Sequence, residues 1–372
     1  MGEEFNFDSF PSDLYTIYSI PLEYIVGAME PAYKNNGKRN ERYNYLTGYI
    51  TKPRINAATC DVSDGSIIYI HSCVPLLLFR MCVHFTYCCD INNALAYGNP
   101  VIMEYGQKEK IVFSLETKYI FPQGILRHFN LLKESAIYRA VENEGKLKYA
   151  LYLYDLAARF LAMHECMHIV LGHTAYMKKE FGINELLAFS GDKDNSADRM
   201  MTFQALEFIS DQHTTPGVFV QTLRGNLFFN YYELENNIEV DKECFVARSV
   251  VNALCVLFRL FPYEWSDITD TIAKKHPHPY IRLQWIITGL GGHLTDMTNY
   301  KEYIMRPMVQ SMVVFHENFD VPDDWLRINE LNYVDKNNEL FSNTSYLRVM
   351  EEAEKIQHKS YLVSPVYDGD NR

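Results

Sequence analysis

The chain has 372 residues, 48% of them hydrophobic and 14% aromatic, which is enough apolar material for a sizeable core, and its formal net charge is −12. That charge argues against a protein built to bind nucleic acid phosphates or anionic membrane surfaces. No apolar run approaches the roughly 20 residues that span a bilayer, no secretion or lipidation signal is recognisable, and the eight cysteines are scattered without metal-site or disulfide spacing, so a cytoplasmic protein with reduced thiols is expected.

Residues 1–50 are punctuated by Pro11, Pro21 and Pro31, and their pattern suggests no function. From Pro53 the text sharpens. Small and β-branched residues over 57–60, an Asp64-Gly65 turn and the run 66–71 predict a strand, a tight connection and a second strand. The second strand, with Ile67, Ile68, Tyr69 and Ile70, is expected to be a sheet edge able to pair with an extended peptide through main-chain hydrogen bonds. A helix follows over 74–85. Residues 99–105 and 110–115 read as strands, helical text resumes at Ile125, and the charged stretch 142–148 reads as a solvated turn.

The next segment carries the chemistry. Apolar residues at helical spacing (Leu153, Leu156, Ala157, Phe160, Leu161), with no Gly or Pro, lead into His164-Glu165-Cys166-Met167-His168. On a helix, residues four apart share a face, so His164 and His168 can offer two imidazole nitrogens to one tetrahedral metal. Glu165 then stands where a carboxylate can exchange protons with a metal-activated water. Gly172 ends the helix, and His173, five residues beyond His168, is expected on another side, in a supporting or capping role. Cys166 lacks an activating base of its own and reads as a core thiol.

A third ligand is sought downstream. Ser196 can cap a helix over 197–211 that ends before Thr215-Pro216-Gly217, and on it Glu207 and Asp211 share a face. Glu207 is expected to complete the metal sphere while Asp211 accepts the free imidazole N–H of a ligand histidine. Asp198 and Asp211 are the next candidates for the third ligand. The run 244–261 reads as a core helix, and Pro279 opens another helix with Arg282 one turn in. Helices are also expected around 302–317 and 345–358.

The H-E-x-x-H helix followed by an E-x-x-x-D helix resembles the gluzincin group of zinc metallopeptidases. His276-Pro277-His278-Pro279-Tyr280-Ile281-Arg282 is similar to the H-P-x-x-x-x-R element of HtpX-type and prenyl-protein (CAAX) endopeptidases, and Asn56-Ala57 with the following strand resembles a hairpin of the same enzymes. More loosely, the H-E-x-x-H-x-x-x-G-H text resembles soluble phage-exclusion peptidases of the Lit type. The resemblance implies a zincin-like α+β core, mainly helical, with a small β-sheet bordering the active-site cleft. It implies one zinc ion per chain on His164, His168 and Glu207, with Glu165 as general base. It would place His276 and Arg282 in the cleft, His276 towards the developing oxyanion and Arg282 holding Glu207, Asp211 or the peptide. The strand at 67–70 would border that cleft and hold substrate.

The expected organisation is an N-terminal extension (1–52), a catalytic core (53–292) and a helical C-terminal extension (293–372). The expected activity is a zinc metalloendopeptidase acting on a protein or peptide partner in the cytoplasm, with a role in phage defence implied by the looser resemblance. Neither a nucleic acid partner nor a membrane span is expected. A catalytically regulated binding or sensor protein of the same fold and a zinc amidohydrolase acting on a small amide are the alternatives.

Overall fold

In a computed structural model the described residues are 5, 7–34, 44–52, 55–62, 65–90, 101–102, 111, 121–183, 185–187, 197–225, 242–260, 277, 279–320 and 344–357. The chain begins with helix α1 (Ser12–Lys34) and continues through strands β1 (Asn44–Ile50), β2 (Ala57–Val62) and β3 (Gly65–His71) to α2 (Val74–Tyr87). A short antiparallel pair, β4 (Cys89–Asp90) and β5 (Val101–Ile102), precedes α3 (Pro122–Glu134), α4 (Ala136–Asn143) and α5 (Leu147–Val170). Then come α6 (His173–Phe181), β6 (Glu185–Leu187), α7 (Ala197–Leu223), α8 (Lys242–Leu260) and α9 (Pro279–Gly291). A π-helical turn, Lys301–Met305, leads into α10 (Arg306–Asn318), and α11 (Thr344–Gln357) is the last described helix. The fold is therefore α+β, mainly helical with a small sheet. No helix among the described residues is long and apolar enough to cross a membrane.

Helix α5 is the central element. From Tyr152 to Cys166 every side chain is buried, because α1, α2, α7 and α8 surround it and β2 lies against its second half. A helix buried on all sides carries a weak amphipathic signal, and its few interior polar residues must find partners. Arg159 is fully buried and donates to Tyr24 Oη (2.7 Å) on α1 and Thr222 Oγ1 (3.1 Å) on α7, while the Tyr24 hydroxyl donates to Asp155 (2.6 Å). These bonds tie three helices together at one level.

Two prolines did not break α1. The helix runs through Pro21 and Pro31, and Leu14, Ile17, Tyr18, Tyr24 and Ile25 fall at helical spacing on its buried face. Pro216 likewise lies inside α7, which continues to Leu223 instead of ending before Thr215 as the sequence suggested. A proline removes one helical hydrogen bond, but Val218 and Phe219 beyond it are buried and Thr222 reaches Arg159, so tertiary packing outweighs the local break.

The four-stranded sheet has the order β1-β3-β2-β6. β3 pairs in parallel with β1, Leu46 opposite Ile67, and antiparallel with β2, Thr59 opposite Ile68. The strand carrying Ile67, Ile68, Tyr69 and Ile70 is therefore interior, and the expected substrate-binding edge at these residues is incorrect. Both rows of its main-chain groups are already engaged with neighbouring strands. Its four consecutive apolar residues, three of them buried, are the pattern of a strand covered on both faces. Within the described sheet the outer strands are β1 and β6, and β6 pairs with β2 on the side of the sheet away from β3. The eight cysteines are all free, and all but Cys60 are buried.

Candidate metal centre

The second half of α5 packs along α7. His168 meets Glu207, His164 meets Asp211, and Arg159 meets Thr222, so residue numbers rise on one helix as they fall on the other and the two run antiparallel. Their register is held where Ser210 Oγ donates to the main-chain carbonyl of His164 (3.0 Å). It is held again at Gly217, where a Cβ would stand 2.9 Å from the Met163 terminal methyl, so a side chain larger than hydrogen would force Met163 to move. The close approach brings side chains from both helices to one point.

At that point three side chains converge. His164 Nε2 lies 3.1 Å from His168 Nε2 and 3.2 Å from Glu207 Oε2, and His168 Nε2 lies 3.4 Å from Glu207 Oε1. All three residues are buried, and their ligand atoms form a group that could hold a metal ion. The spacing is informative in itself. Two ligands, each roughly 2.0–2.1 Å from one ion at the tetrahedral angle, are roughly 3.3 Å apart, so the spacings in this cluster match those of ligands around a small divalent cation.

The surrounding groups favour a cation there. Asp211 Oδ1 stands 2.9 Å from His164 Nδ1, which directs the other nitrogen of that imidazole towards the centre. Arg282, one turn into α9, grips Asp211 through Nε and an Nη (both 2.8 Å), and its other Nη lies 3.1 Å from Glu207 Oε2. The guanidinium also rests 5.1 Å over the Phe258 ring of α8, while Trp285 packs edge-on against Phe208 (4.7 Å) and seats α9 against α7. Burial acts to raise the Asp211 pKa, but Arg282 and His164 overcome it and hold the carboxyl below its usual range. For His164 burial opposes a positive charge, yet Asp211 and Glu207 together outweigh it and raise its pKa to about 10.

His168 has a different support. Its Nδ1 is 2.9 Å from Nδ1 of His173, the first residue of α6. The sequence placed His173 on another side of the helix, which would hold if α5 continued. Instead α5 ends at Val170, and Gly172, in the left-handed region at φ 71°, folds the chain so that His173 returns to the ligand.

Glu165 is buried on the β2 side of α5. The Thr59 hydroxyl lies within hydrogen-bonding distance of both Glu165 Oε2 (3.1 Å) and the Glu165 carbonyl (3.0 Å). Burial raises the carboxyl's pKa and outweighs the opposing influence of His164, His168 and the Thr59 bond. Thr59 escaped the sequence reading because the hairpin text gave no sign of which strand would face the metal helix.

Of the residues singled out from sequence, the fold brings together His164, Glu165, His168, Glu207, Asp211 and Arg282. Arg282 contacts Asp211 and Glu207, two of the three partners expected for it, and an Nη also lies 3.5 Å from His164 Nε2. His276 lies outside the described residues, as do His278, Asp64 and Ser196. The side chain of Asp198, the other alternative third ligand, lies outside the described residues, whereas Asp211 stands beside the converging group. No protein-family model, curated protein or solved structure matches the chain.

Proposed function

We propose that the protein is a zinc-dependent metalloendopeptidase with a zincin-like core, in which His164, His168 and Glu207 hold the ion and Glu165 is the general base. The observation carrying this reading is the convergence of three buried side chains, His164, His168 and Glu207, whose nearest nitrogen and oxygen atoms are 3.1 to 3.4 Å apart in pairs, with a second carboxylate, Glu165, buried beside them. A purely structural zinc site closes all four positions with protein atoms, and three ligands plus an open position are the catalytic pattern.

Zinc at such a centre supplies Lewis acidity, bringing ionisation of a water towards neutral pH and polarising a carbonyl oxygen. The chain's residues supply the rest. Glu165 takes one proton from the attacking water as its oxygen bonds to the peptide carbonyl carbon, and returns a proton to the departing amine nitrogen as the C–N bond breaks. A carboxyl with a raised pKa suits both directions of transfer, and Thr59 restrains it. Asp211 orients His164 and Arg282 orients Asp211 and Glu207, so the ligand geometry is supported before substrate arrives.

Metal analysis of protein purified without a histidine tag should give one zinc per chain. Glu165→Gln should retain the metal and the fold while lowering hydrolysis by about 10²- to 10⁴-fold, the contribution of general acid–base catalysis. Comparing new protein termini in cells expressing the wild type or Glu165→Gln identifies substrates. New termini that persist unchanged with the Gln variant exclude the mechanism.

A further inference from the structure

We propose that His173 positions the metal ligand His168 by accepting its Nδ1 proton, so that the bare Nε2 of His168 faces the ion. The proposal rests on the metal reading above and assigns a role to a side chain outside the ligand set.

In an unbroken helix a residue five places beyond His168 would lie about 140° around the axis. The left-handed Gly172 removes that obstacle, and the two Nδ1 atoms stand 2.9 Å apart in a fully buried contact. Only one of them can carry the shared proton. The Nε2 of His168 points at His164 and Glu207 (3.1 and 3.4 Å), and a ligand nitrogen must be bare, so the His168 proton belongs on Nδ1. His173 must then be bare at Nδ1 and protonated at Nε2. That Nε2 is buried and has no hydrogen-bond partner among the described residues.

The unmatched donor separates positioning from mere packing. A buried N–H without an acceptor destabilises a fold, and an apolar side chain of similar volume would avoid it. Keeping imidazole here makes physical sense if its other nitrogen has a task. The two ligand histidines are consequently supported differently: His164 by a carboxylate that Arg282 grips, His168 by a neutral ring.

Three variants test this. The amide oxygen of His173→Asn can occupy the place of Nδ1, that of His173→Gln the place of Nε2, and His173→Leu offers no acceptor. Zinc affinity is measured by chelator competition, coordination by the cobalt(II) absorption spectrum, and the thermal unfolding of each metal-free chain is recorded. The Leu and Gln variants should bind zinc about 10- to 100-fold more weakly, with Asn within about threefold of wild type. Metal-free His173→Leu exchanges one unmatched buried N–H for another, on His168 Nδ1, so a single cooperative unfolding transition is expected and shows that the variant folds. Wild-type affinity in the Leu variant, or an equal loss in Asn and Leu, overturns the proposal. If the wild type binds zinc and Glu207→Ala does not, such a result removes only the role of His173. If the wild type binds no divalent metal, the metal reading fails and this inference fails with it.

Discussion

Replacing Asp211 by Asn tests the layer of groups behind the proposed metal ligands. Asp211 is fully buried and engages His164 Nδ1 at 2.9 Å and Arg282 twice at 2.8 Å. Asn keeps the shape but has one oxygen and one NH2. Either orientation therefore sets an N–H2 against the His164 N–H or against the guanidinium. Loss of such a supporting contact lowers metal affinity by about 10- to 100-fold, or about 1.4–2.7 kcal/mol. The fold should also weaken, since breaking a buried ion pair costs about 3–5 kcal/mol. The lower end is expected because Glu207 Oε2 remains 3.1 Å from Arg282. Chelator competition measures the first effect and urea unfolding of the metal-free chain the second. Zinc affinity unchanged within about threefold, against the 10-fold minimum expected, would refute the assignment of Asp211 as the orienting group of His164.

Thr59→Val removes the hydroxyl beside Glu165 with little change of shape; it should cost about 0.5–1.5 kcal/mol of stability and reduce hydrolysis while leaving zinc affinity in place, whereas a loss of zinc would show that Thr59 supports the ligands instead. Gly172→Ala should destabilise by about 1–2 kcal/mol because an L side chain is strained at φ 71°, and Gly172→Asn should recover part of that loss in the same unfolding assay. Asp155 carries a pH prediction. Burial raises its pKa to about 6 despite Arg159 and the Tyr24 bond, so the folded state holds this proton more tightly than the unfolded chain does. Its stabilising contribution is thus complete below the ordinary value of 3.8 and is lost as pH rises through about 6, at about 1.4 kcal/mol per pH unit. Asp155→Asn, which cannot ionise, should gain stability relative to wild type across that window and run parallel to it above; a relative loss over the same window contradicts the sign.

The ligand-bearing helices were legible because their chemistry is local. His164, Glu165 and His168 lie within five residues, Glu207 and Asp211 within another five, and helical periodicity alone sets which of them share a face. The sheet was not legible in this way. β3 is interior because β1, in a segment without a readable pattern, pairs in parallel with it although β2 stands between them in the sequence. Such pairing is decided by long-range contacts. The continuous apolar run 67–70 was the one local sign, and reading it as an edge set aside the burial of both faces that it implied. Pro21 and Pro216 misled for a related reason, since a proline weakens a helix locally while the packing that offsets it comes from distant helices. His173 was given a supporting or capping role, but its side was misplaced, because the Gly172 turn reverses what helical spacing predicts.

The charges around the centre favour one class of occupant. With their usual charges, Glu165, Glu207 and Asp211 contribute three buried carboxylates, and among the described residues Arg282 is the guanidinium that contacts them, leaving two negative charges in excess. Uncompensated charge in a low-dielectric interior is costly, so such a cluster draws cations to itself. A proton on His164, favoured by Asp211 and Glu207, relieves part of the excess. A divalent ion held by neutral imidazoles and Glu207 balances it completely. On this account Arg282 does more than orient two carboxylates: without its charge the excess would be three, beyond what one divalent ion neutralises, and Glu165 would then be pressed to remain protonated. On the proposed mechanism, the charge of Arg282 thereby helps to leave Glu165 ionised and able to take a proton.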